Sequence, residues 1–125
     1  LGLLAKAKQV TAAAKKRLPS EIPPLDERRL VVEIEEGRLR SLEDNAAGKK
    51  QLEVVLAKLE STGNVAQAAF VHSLLAEIER VLNHRDLSLT HARKAIELNK
   101  QQFGLNNHQT KYAIAVYERL AKGGK

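Results

Sequence analysis

The chain has 125 residues, of which 43% are hydrophobic, 29% charged and only 3% aromatic, and it carries a formal net charge of +6. That length fits one domain with a modest core, and so few rings leave Leu, Val, Ile and Ala to build it, which suits packed helices better than a β-sandwich. The absence of Cys excludes disulfides, thiolate metal sites and a Cys nucleophile without fixing a compartment, and no run approaches the roughly 18 apolar residues of a membrane span.

Residues 1–18 read as a first helix. Leu3, Ala7, Val10 and Ala14 follow one face, with Leu4, Thr11 and Leu18 beside them, and Ala12 to Ala14 favour helix strongly. Pro19 ends it, and Ser20 to Pro24 form a stiff break because Pro23 and Pro24 restrict the residues before them. This divides the chain into a basic N-terminal helix or arm (1–18), a Pro-rich break (19–24) and a helical domain (25–122). Residues 25–44 form a second helix rich in Glu and Arg, with Asp26 and Glu27 at its positive end. Its apolar stripe is broken, running through Val31, Ile34 and Leu42 with Leu30 and Leu39 nearby, and Gly37 admits a bend.

Asn45 to Gly48 read as a connection. Helix three, 49–62, turns Leu52, Val55, Leu56 and Leu59 inward, and Gly63 stops it while Asn64 caps the next. Helix four, 65–83, has Ala68, Val71, Leu75, Ile78 and Leu82 on one side and Phe70, Leu74 and Val81 on a second strip, so neighbours are expected on two sides. Asn83 to Arg85 form a tight turn, with Asp86 or Ser88 as the cap of helix five. That helix, 87–102, faces Leu89, Ala92, Ala95 and Ile96 inward and closes at Phe103-Gly104. Thr110 is the expected cap of a sixth helix through Leu120, buried along Ala113, Val116, Tyr117 and Leu120, with Gly123-Gly124 as its stop. Short turns between successive helices imply antiparallel packing.

Charge is unevenly spread. Residues 1–20 carry +5 from Lys6, Lys8, Lys15, Lys16 and Arg17, residues 21–45 carry −4, and the remainder +5. The chain does not begin with Met, so it is expected to be a processed or excised piece of a longer protein. The basic first helix suits an anionic lipid surface or a partner subunit. It lacks the aromatic residues that single-strand nucleic-acid binders stack on bases.

No catalytic constellation emerges. His72, His84, His91 and His108 show no helical metal-site spacing and read as surface or turn histidines. Glu35-Glu36 and Glu43-Asp44 point in different directions on a helix and read as solvated residues or dipole partners. No metal, cofactor or small-molecule substrate is expected, and the chain reads as a binding protein, not an enzyme.

The stretch from about Ala69 to Gln102 resembles a tetratricopeptide repeat. Leu75-Ala76 matches the family's Leu and small residue, Asn83 stands for the turn Gly, Ser88 for a small residue of the second helix, and Lys94 to Leu98 for its ending. Phe103-Gly104, Asn107-His108 and Thr110 then resemble the links between the longer repeats of the kinesin light chain group. The pattern departs at Ala92, an aromatic in the family, and at Tyr117-Glu118, where a Leu and a small residue belong; the resemblance covers about 49–122. It implies an all-α fold of antiparallel helical hairpins stacked as a short α-solenoid. It further implies an inner groove for a protein or peptide, lined by Ser73, Glu77 and Arg80 of helix four and Tyr112, Arg119 and Lys122 of helix six. Arg80, Arg119 and Lys122 are the expected clamp for a carboxylate of an acidic peptide. Two other classes fit the sequence: a structural subunit of a large complex docked by the basic first helix, and a regulatory helical domain of a nucleic-acid-binding protein.

Overall fold

A computed structural model describes residues 2–123. Among these the secondary structure is wholly helical: α1 (Gly2–Arg17), α2 (Glu27–Glu43), α3 (Asn45–Thr62), α4 (Val65–Val81), α5 (Arg85–Phe103) and α6 (His108–Gly123). The expected start at Leu1 and the Gly124 part of the expected stop lie outside the described residues. The chain divides between Thr62 and Gly63 into two compact units.

In the first unit α2 packs on α3 and α1 packs on α2. The α2–α3 joint is a single residue. Asp44 gives its N–H to Arg40 O (2.8 Å), ending α2, and its carboxylate accepts from Ala47 N (3.1 Å), starting α3. The expected connection at 45–48 is therefore helix, because Asp44 alone satisfies both helix ends. Two glycines let the hairpin close. A Cβ on Gly48 would overlap the backbone of Ser41, and one on Gly37 would lie 2.8 Å from Leu52 Cδ2. Gly37 is thus a point of close approach inside a continuous α2, not a bend. Leu30, Ile34, Gly37 and Ser41 form the buried strip of α2, with Leu39 also buried, while Val31 and Leu42 are exposed. Leu52, Val55, Leu56 and Leu59 are buried as expected.

α1 meets α2 along Thr11, its only buried residue, with Leu4 and Leu18 half-buried. Lys8 pairs with Glu43 (2.6 Å) and Lys15 with Glu36 (3.2 Å), so the two helices run antiparallel. The Leu3–Val10 side expected to face inward is exposed instead: α1 lays Thr11 on α2, which places Lys8 and Lys15 beside its acidic residues. Between the helices Ile22 is buried, and its carbonyl accepts from Arg29 Nη2 (3.0 Å).

In the second unit α4 packs on α5, α5 on α6, and α4 also touches α6. Asn64 caps α4 by accepting from Gln67 N (3.2 Å). At the other end Asn83 takes φ +64°, His84 N donates to Glu79 O (2.8 Å) and Asn83 N to Arg80 O (3.0 Å). These two bonds make a Schellman ending, with Asn in the left-handed position that usually takes Gly. Neither Asp86 nor Ser88 caps α5; His84 holds that position without a side-chain cap. Ser88 is buried and donates to Ala76 O (2.7 Å), tying α5 to α4. The second buried strip of α4 is Ala69, His72, Ala76 and Glu79, not Phe70 and Val81, which are exposed. Small residues there let α5 approach, a role that larger ones would block. Ala76, Leu89, Ala92, Val116 and Leu120 form one core cluster, against which Tyr117 packs.

α6 is capped by Asn107, which accepts from Gln109 N (2.8 Å). Thr110, the expected cap, is fully buried and donates instead to Gly104 O (2.7 Å), folding the connection onto the helix. Gly104 itself takes φ +84°.

Two substitutions test this packing. Gly48→Ala should destabilise by about 1–3 kcal/mol despite Ala's better helix propensity, because the new Cβ meets backbone. Gly2→Ala, where nothing lies within 4 Å, should cost nothing in the same urea titration. Ala76→Leu should likewise cost about 1–3 kcal/mol, whereas Ala115→Leu, on the exposed side of α6, should leave the urea midpoint nearly unchanged.

Candidate functional site

Glu77 and Arg80 lie one turn apart on α4, as an (i, i+3) pair, and Arg80 Nε donates to Glu77 Oε1 (3.4 Å). Arg119, on α6, donates to the other oxygen, Glu77 Oε2. Two guanidinium groups from different helices therefore converge on one partly exposed carboxylate. α4 and α6 touch here because both pack on α5, which brings their exposed edges side by side. Of the six residues expected along this surface, these three meet. Ser73 is half-buried on α4, and on α6 Tyr112 (67% exposed) and Lys122 lie in solvent. The carboxylate held between the arginines belongs to this chain.

The basic first helix divides its charges. Lys8 and Lys15 are engaged by α2, while Lys6, Lys16 and Arg17 are exposed. Each of the paired carboxylates has a structural role. Glu36 and Glu43 hold α1, Asp44 caps α3, and Glu35 accepts from Arg38 Nε (3.0 Å). That bond to Arg38 is the main reason the Glu35 carboxyl titrates below its ordinary range.

Two polar contacts of the second unit were not read from the sequence. His72 is buried, and its Nδ1 lies 2.9 Å from His91 Nδ1 across the α4–α5 contact, so His72 is not a surface histidine. Glu79, only 1% exposed, meets His84 Nδ1 at 2.7 Å. The signal for the first was present. Residues 72 and 91 flank Leu82 nearly symmetrically, as Ala76 and Ser88 do, and such pairs face each other in an antiparallel hairpin. Among the described residues no group of three or more His, Asp or Glu is placed to hold a metal ion, and no helix is long and apolar enough to cross a membrane.

Burial first, and then the nearby His91 and Lys94, push the His72 pKa down from 6.5 to about 4. Between those values the unfolded chain binds more protons at this site than the folded one. The stabilisation is therefore complete above about pH 6.5 and is lost as the pH falls towards 4. It amounts to on the order of 3 kcal/mol at most. Urea titrations at pH 4.5 and pH 7 should show this loss in the parent chain and a smaller one in His72→Gln.

Comparison with protein-family models, with curated proteins and with solved structures finds no match for this chain.

Proposed function

We propose that the chain is a protein-interaction module, a short helical array of tetratricopeptide kind that holds a partner segment against the surface shared by α4 and α6. One observation carries the reading: Arg80 and Arg119 reach the same partly exposed carboxylate from two helices. Charge-assisted bonds to a carboxylate are among the stronger polar contacts, and the donors are already oriented. A carboxylate of an acidic partner segment exchanges with Glu77, which serves as its stand-in in the free protein. Exposed Tyr112, about two turns from Arg119 on α6, supplies apolar area on the same helix, and Lys122 adds positive charge along it.

Affinity capture at moderate salt with the intact chain, followed by titration of what is captured, tests this reading. Arg80→Glu should weaken binding by about tenfold or more with the helical circular dichroism unchanged. Glu77→Gln should strengthen it by removing the internal competitor. Reversal of the exposed Lys6 and Lys16 on α1 should leave that partner's affinity unaltered. A partner lost on the α1 reversals and retained by Arg80→Glu ends the proposal.

A further inference from the structure

We infer that the groove between α1 and α2 is a docking site for an amphipathic helix of another protein, acidic along the edge that meets α1. This rests on the first unit alone and stands apart from the α4–α6 reading.

The groove encloses about 490 Å³ and is lined by Leu3, Lys6, Val10, Ala14, Val31 and Val32, among others. Leu3 is 86% exposed, Val10 64% and Val31 44%, so its walls are aliphatic side chains left in water. Among the described residues α3 packs on α2 but not on α1, and nothing in the unit fills the space.

The second unit shows what fits such a place. There α5 and α6 pack on each other as α1 and α2 do, and a third helix, α4, packs on α5 and touches α6. Ser88, Ala92, Ala95 and Asn99 form one buried strip of α5, with Leu89 also buried. Leu3, Ala7, Val10 and Ala14 repeat that spacing on α1, with larger apolar residues at two of the four positions. An amphipathic helix laid across α1 and α2 therefore buries the strip as α4 buries its counterpart.

Charge selects the occupant. α1 carries no acidic residue; four of its five bases fall on the two edges of this strip, and Lys16 lies on the far side. Lys8 and Lys15 are neutralised by α2. Lys6 borders the groove on the outer edge, and Arg17 continues that edge roughly three turns further on by helical periodicity. On the opposite rim Glu35 is already held by Arg38. The open side of the groove is thus positive and unopposed, which favours Asp or Glu along one flank of the docked helix. The concave form and the acidic residue on the α2 rim suit a helix better than an anionic bilayer.

The test is selection from a displayed library of helical peptides panned against the full chain. Enriched sequences should show apolar residues at helical spacing with Asp or Glu along one flank. Leu3→Asn with Val10→Asn should weaken them by about tenfold or more, and Lys6→Glu should weaken the acidic ones selectively. Both apolar positions are exposed, so circular dichroism should be unchanged, and Arg80→Glu should not affect these peptides. Failure to enrich any amphipathic helix, or enrichment indifferent to Val10→Asn, overturns the inference. So does a chain that sediments as a dimer and becomes a monomer on Val10→Asn, which assigns the groove to a second copy. Co-sedimentation with phosphatidylserine vesicles that depends on Leu3 and Val10 would assign it to a membrane and overturn it equally.

Discussion

Close approach of helix backbones at small residues is the constraint on which both units depend. With few rings and no Met, the chain has few large side chains to span a wide gap between helices. It fills the space by narrowing the gap. In the first unit Gly48 lies on Ser41 and Gly37 under Leu52, one helical turn apart on each helix. In the second, Ala76 and Ala92 share a buried cluster, and Ser88 is near enough to reach the carbonyl of Ala76. At Gly48 the neighbour is the backbone of Ser41, so a single added carbon there cannot be absorbed by rotation of a side chain.

That proximity also determines where polar groups go. Ser88, Thr110 and Asn99 are buried because each hydroxyl or amide reaches a carbonyl, in Ala76, Gly104 and Ala95 respectively. His72 is buried against His91 at a cost to its charged form. The acidic residues of α2 are largely spent on holding α1 and α3 in place, Lys58 reaching Glu33 at 3.0 Å in the same manner as Lys8 and Lys15 reach Glu43 and Glu36. A charge pattern that reads as a solvated face is, in this fold, a set of contacts between helices.

The convergence on Glu77 has a different character. Its members are exposed, so it adds little stability. In the proposed reading its interest lies in orientation, since the two guanidinium groups are already aimed at one carboxylate from separate helices.

Local chemistry made the helices, the turns at Gly63, Asn83 and Gly104, and the cap at Asn64 legible in the sequence, because each depends on the conformation of a few adjacent residues. The inward face of α3 was legible too, since Leu52, Val55, Leu56 and Leu59 fall together on one side. The candidate surface on α4 and α6 was drawn from a resemblance, and the sequence grouped its residues without showing that Glu77 lies between the arginines. What only the tertiary structure decided is which of several apolar sides each helix buries. α1 turned Leu3 and Val10 outward and Thr11 inward, with two lysines beside α2, and α4 buried Ala69 and Ala76 in preference to Phe70 and Val81. Periodicity measures how apolar a side is, whereas burial goes to the side whose shape and charge fit the neighbouring helix, and that neighbour is distant in the chain.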